Sequence, residues 1–288
     1  MLAARPDVAR PAPSDIVALA SRLAVPVSVD RALDELDAAT LQVLDVVLLA
    51  PTDGRPADEL VAALPDAKID YAAGFGIDDA TGDAALAEEA LRVVGGADVV
   101  VAYLGLPATA ESEGFDRTHL ELPAAQTDLL ARLAGAGAPV VVVLANGSAV
   151  RTAPWEQHAA AVLECWLGGQ AVGGAIADVL TGAADPGGRL AETIPLRLED
   201  TPSYLNFPGE EGRVRYGEGV FVGYRGFDAA GREVAYPFGH GVSYTTFAYD
   251  DLAVRVSGTD VTVEVTVTNT GERTGREVAQ LYVGDRGS

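Results

Sequence analysis

The chain has 288 residues, 49% of them hydrophobic, with a mean hydropathy of +0.18. That is enough apolar surface for one large core and a small second one, and it excludes a disordered acidic tail. Against 42 acidic residues stand 20 basic ones, a net charge of -22; a field of that sign repels phosphate backbones and anionic lipid, so neutral substrates are expected and nucleic acid and membrane partners are not.

Taken in chain order, the opening MLAARPDVARPAPSD has no apolar core of a signal peptide, and no later run approaches the roughly 18 apolar residues of a membrane helix, so a soluble, cytoplasmic form is expected. Pro11 and Pro13 make an extended lead-in, Ser14 and Ser28 are N-caps for two short helices, and residues 1–40 receive no functional role. From about residue 45, continuous apolar runs at Asp45–Ala50, Asp98–Leu104 and Pro139–Ala145 predict strands buried on both sides. Apolar residues at helical spacing in Ala57–Leu64, Asp83–Val94 and Ala124–Leu133 supply the crossover helices. A further apolar run, Ala161–Leu167, contains the chain's one cysteine, Cys165, read as a buried structural thiol, and Trp166, read as core; helix Ala171–Leu180 follows. Alternation of this kind predicts an α/β fold, a mostly parallel sheet flanked by helices over residues 41–200.

From Asp185 the composition turns to Pro, Gly and aromatic residues, and 201–245 reads as a connecting segment rather than a core layer. Residues 246–288 then alternate polar and apolar in three runs, Phe247–Ser257, Asp260–Thr268 and Arg276–Val283, with Val261, Val263, Val265 and Val267 on one face. Three strands are fewer than the roughly seven of a full sandwich, so an incomplete β-sandwich domain is expected.

Several blocks then carry a resemblance. Glu111-Ser112-Glu113-Gly114-Phe115-Asp116-Arg117 with Leu120, Leu122-Pro123 and Gln126 comes first, followed by Trp166-Leu167-Gly168-Gly169-Gln170, Asp185-Pro186-Gly187-Gly188-Arg189-Leu190, Tyr216–Arg225 and Phe238–Phe247. In kind and order they resemble family 3 glycoside hydrolases of the β-glucosidase and β-xylosidase type: the family's C-terminal α/β domain, then part of its fibronectin type III-like domain at Thr266–Gly271 and Glu277–Val283. The resemblance implies retaining hydrolysis of a β-linked glucoside or xyloside, with an aspartate nucleophile on an N-terminal (β/α)8 barrel and a glutamate acid/base on this domain. Carried over, the acid/base falls on Glu113, with neighbouring Glu111 the alternative. Substrate-binding residues are not assigned, and no metal and no cofactor are expected.

Without the family, Glu111, Glu113 and Asp116 read as a solvated acidic turn, and Asp116 and Arg117 as fasteners of that loop. His119, His158 and His240 are too scattered for a metal cluster or a triad, and Trp155 is left without a role. Asn146-Gly147-Ser148 reads only as a turn, and Gly168–Gly174 fits no nucleotide fingerprint. A barrel needs at least about 200 residues, so no nucleophile is assigned. The stretch Pro51–Arg55 is also shorter than the family pattern, which leaves the barrel-facing surface incomplete. On this reading the chain is inert alone and takes its nucleophile from a barrel domain on another chain or on the rest of a split gene. Self-association through the open strand edge is a further expectation. The alternatives are a non-catalytic carbohydrate-binding or protein-interaction module, or an inactive truncated product.

Overall fold

The computed structural model describes residues 45–49, 60–76, 83–114 and 116–284, with 45–49 as backbone path only. The lead-in 1–40 with its caps at Ser14 and Ser28, the stretch Pro51–Arg55 and the first turn of helix 57–64 lie outside the described residues. The chain divides into two compact units; among the described residues one holds the chain up to Ala184 with Leu196–Leu198, and the other holds Asp185–Pro195 and the chain from Glu199 onward.

The first unit is an α/β layer structure. Its strands are β1 (Asp45–Leu49), β2 (Lys68–Ala72), β3 (Val99–Gly105), β4 (Val140–Ala145) and β5 (Ala161–Glu164), and its helices α1 (Asp83–Val93), α2 (Ala124–Ala134) and α3 (Val172–Leu180). All four pairings are parallel, in the order β2-β1-β3-β4-β5. Because side chains alternate across a strand, one run of valines feeds two cores. Val100, Ala102 and Leu104 with Val140, Val142 and Leu144 pack against Ala90 of α1 and Leu129, Leu130 and Leu133 of α2. Val99, Val101, Tyr103 and Val143 pack on the opposite side against Leu60 and against Ile176 and Ala177 of α3. Both faces of β3 and β4 are therefore buried, which is why these two read as continuous apolar runs.

Edge positions depart from that pattern. β2 was not among the strands expected: Lys68-Ile69-Asp70-Tyr71-Ala72 mixes polar and apolar residues, with a Lys68–Asp70 ion pair of 2.6 Å near its start, as suits a strand with one free edge. β5 stops at Glu164, so Trp166 is a correction. It lies outside the strand, half-buried, with φ 48, a left-handed conformation rare for a bulky residue. The core tryptophan is Trp155, 2% exposed, its indole N–H donating to the Arg151 carbonyl at 2.8 Å. Cys165 is half-buried; burial, then the Glu164 carboxylate, push its thiol up to about 12, so it stays an unreactive thiol.

The second unit contains β6 (Ile194–Pro195) paired antiparallel with β7 (Val234–Tyr236), the short helix α4 (Tyr224–Ala230), and the hairpin β8 (Phe247–Ser257) and β9 (Asp260–Asn269). Residues 201–245 thus carry a helix and a strand, with Phe227 buried and Tyr224 stacked on Phe238 at 4.9 Å. Residues 276–283 are a second correction, for they form no strand among the described residues. Their polar groups are bound elsewhere: the Arg276 N–H donates to Asp185 at 3.1 Å, Glu277 pairs with Arg189 and accepts from the Tyr249 hydroxyl at 2.7 Å, and Tyr282 sits edge-on to Tyr224. No helix among the described residues is long and apolar enough to cross a membrane.

Candidate active site

β3 ends at Gly105, where the chain must leave the sheet beside β4. A Cβ at Gly105 would stand 2.3 Å from the Ala145 carbonyl oxygen, so only glycine fits there. Gln126, the first buried residue of α2, is 3% exposed. It binds both backbone groups of Gly105, accepting from its N–H at 3.0 Å and donating to its carbonyl at 2.8 Å. The exit point of the acidic loop is thereby tied to the start of the next helix.

From there the loop is stitched to the turn that follows β4. Both oxygens of Glu111 are occupied: Oε2 accepts from the Gly147 N–H and Oε1 from the Ser148 hydroxyl, each at 2.5 Å. Arg117 donates to Ser148 Oγ at 2.7 Å and to the Ala149 carbonyl at 3.0 Å. Further on, the Arg151 N–H donates to the Leu120 carbonyl at 2.7 Å, and the Arg151 guanidinium pairs with Glu121 at 3.0 Å. Glu113 is exposed, next to Gly114 at φ 76, and forms no hydrogen bond to another described residue. Arg117 fastens the loop; Asp116 is exposed and forms no hydrogen bond to another described residue.

The third strand end joins the same edge. A Cβ on Gly147 would lie 3.0 Å from Leu167 Cδ1 and 3.1 Å from Glu111 Oε2, so this turn fills the gap between the acidic loop and the chain leaving β5. The loops after β3, β4 and β5 meet at the carboxyl end of a parallel sheet, where open α/β folds put their functional groups. Asn146 is fully buried, its side-chain N–H donating to the Ser148 carbonyl at 2.9 Å, so its sequon is closed to modification. Sequence reasoning missed the 147–151 turn as the acidic loop's anchor. His119 accepts the Glu121 N–H at 3.2 Å, and no group of three or more His, Cys, Asp or Glu side chains among the described residues is arranged to hold a metal ion.

The fold has known relatives. The profile described as "Glycosyl hydrolase family 3 C-terminal domain" matches residues 22–244. The chain belongs to glycosyl hydrolase family 3. Among its relatives in the family, an exo-α-(1→6)-L-arabinopyranosidase of Bifidobacterium longum is 51% identical over 217 residues, 75% of this chain and 29% of the relative. The thermostable β-glucosidase B of Acetivibrio thermocellus is 48% identical over 219 residues, again 75% and 29%. Of solved family 3 structures, the β-glucosidase of Bifidobacterium adolescentis superposes with a TM-score of 0.74 at 38% identity, covering 89% of this chain and 43% of that one. The Kluyveromyces marxianus β-glucosidase in complex with glucose gives 0.63 at 39%, covering 67% and 23%. The chain thus spans less than a third of the length of the curated relatives it matches, and corresponds to a part of larger family 3 proteins.

Proposed function

We propose that this chain supplies the acid/base arm of a retaining glycosidase, with Glu113 as the proton donor. The observation that carries the reading is the contrast within the acidic loop: Glu111 has both oxygens committed to the 147–148 turn, whereas Glu113 is exposed and open to a partner. A carboxyl that must give a proton and later take one back needs an unoccupied oxygen within reach of the substrate. In the forward step Glu113 passes its proton to the glycosidic oxygen as the anomeric C–O bond breaks, while a carboxylate about 5–5.5 Å away bonds to the anomeric carbon. Water then attacks the glycosyl ester, Glu113 takes the water's proton, and the nucleophile is released.

The attacking carboxylate would come from a (β/α)8 barrel, on a further stretch of polypeptide or on a partner chain. Substrates are β-glucosides or β-xylosides; the arabinopyranosidase among the relatives widens the class, since a β-glucoside and an α-L-arabinopyranoside both hold the leaving oxygen equatorially. By this reading the 288 residues alone are inert. Mixed with a family 3 barrel domain and given aryl β-glucosides and aryl α-L-arabinopyranosides, they should produce turnover that Glu113→Gln lowers by roughly 10²–10⁴-fold. No gain on mixing, or a gain indifferent to that substitution, refutes the reading.

The hairpin of β8 and β9 carries exposed apolar residues, among them Val256 and Val261, and self-association of the chain through its strand edges is proposed. Sedimentation as a monomer at all concentrations would count against it.

A further inference from the structure

We infer that Glu111 is a positioning residue for the acid/base: with Gly147 and Ser148 it forms a clamp that sets where the Glu113 segment stands over the carboxyl end of the sheet. The inference rests on the assignment of Glu113 above. Its footing is geometric. The Glu111 carboxylate takes one hydrogen bond from a backbone N–H and one from a hydroxyl, each 2.5 Å, short bonds of the charge-assisted kind. The same Ser148 oxygen accepts from Arg117 at 2.7 Å, so residues on both sides of Glu113 are held by one serine. Glu111 is also pinned from its own side, as its N–H and that of Ala110 both donate to the Pro107 carbonyl, at 3.0 and 2.9 Å. Only Ser112 separates Glu111 from Glu113, too short a tether for the exposed glutamate to move freely once Glu111 is fixed.

Gly147 closes the clamp. A side chain there would press on Glu111 Oε2 and Leu167 together, at 3.1 and 3.0 Å, so Gly147→Ala loosens the clamp from the far side without touching the acidic loop. Glu111→Gln is the matching change within it, keeping shape while removing the charge and leaving one acceptor oxygen where there were two.

Two measurements decide the matter. In the chain alone, hydrogen exchange at Gly147 and across residues 107–114 should quicken about tenfold in Glu111→Gln and in Gly147→Ala, the effect of losing one charge-assisted bond, while β4 exchanges as before. Unchanged exchange in both variants overturns the clamp whether or not activity can be reconstituted. With a barrel domain present, Glu111→Gln should lower kcat/KM by about 10²-fold on aryl glycosides with poor leaving groups, as expected when a catalytic group is misplaced. It should barely affect 2,4-dinitrophenyl glycosides, which leave without a proton. An equal loss on both substrate types would mean that Glu111 only helps the loop fold, and overturns the positioning role. If instead Glu113→Gln shows no leaving-group dependence, the assignment of Glu113 fails, and the exchange result still stands for the clamp.

Discussion

Gln126 is a polar residue at a core position, 3% exposed, and the structure gives it one task, to satisfy the N–H and the carbonyl of Gly105 together. Gln126→Leu keeps the volume and removes both bonds, and leaving buried backbone groups unmet costs about 1–3 kcal/mol. The urea midpoint should fall with the slope unchanged, since the surface exposed on unfolding is the same; a midpoint within error of the parent would show that Gly105 finds other partners. At this scale the sequence was only partly legible. Two glutamates two positions apart in one turn share a local environment, and what separates Glu111 from Glu113 is a pair of donors 36 and 37 residues further on. No local pattern carries that distance. Trp166 misled for a related reason: its apolar neighbours indicate a strand, and its positive φ belongs to the turn that the chain makes on leaving β5.

Strands β3 and β4 could be read because both of their faces are buried, so composition alone marks them; edge strands and paired turns need their neighbours to be known first. That is why β2, with Lys68 and Asp70 paired near its start, escaped notice, and why residues 276–283, which alternate like a strand, do not form one without a ladder to join. The β8–β9 hairpin shows the opposite case, a feature spelled out in the pattern but unread. Along β8 the apolar residues fall at Phe247 and Tyr249 and then, one step out of phase, at Leu252, Val254 and Val256. The register shifts between Asp250 and Ala253, a bulge that restores phase so that Tyr249 faces Val267 and Val254 faces Val263. Asp251 takes up the left-handed conformation this requires, at φ 55. Asp251→Val should therefore cost about 1–2 kcal/mol and Asp251→Gly nothing or a slight gain, read as hydrogen exchange over residues 247–269. Equal effects of the two substitutions would remove the bulge from the account.

For the whole molecule the sharpest expectation concerns acid, because His240 and Asp185, both shifted downward and both held by named partners, lie in the unit from Asp185 onward. His240, beside Tyr236 at 4.9 Å, has its pKa lowered from 6.5 to about 4, first by burial and then by the Arg189 charge. It is neutral in the folded chain at pH 7, and it is more readily protonated when unfolded. Its contribution to stability is thus complete above pH 6.5 and drains away as the pH falls towards about 4, by about 3 kcal/mol at most. Asp185 acts lower on the scale. Burial raises its pKa, but donation from Ser243 at 2.6 Å, from the Arg276 N–H at 3.1 Å and from the Tyr244 N–H at 2.8 Å outweighs this, and the net shift is downward. Its share is held above the ordinary carboxylate value of 3.8 and is lost as the pH drops through its own. The two tryptophans of the chain, Trp155 and Trp166, both belong to the other unit, so their fluorescence does not report on this loss, whereas near-ultraviolet dichroism from Tyr224, Tyr236, Tyr249 and Tyr282 does. Between pH 6.5 and 4 the tyrosine signal should soften towards denaturant while tryptophan fluorescence holds, and His240→Gln should flatten that dependence. A tryptophan transition that moves in step with the tyrosines, or a His240→Gln variant as acid-sensitive as the parent, would show that the acid response has another origin.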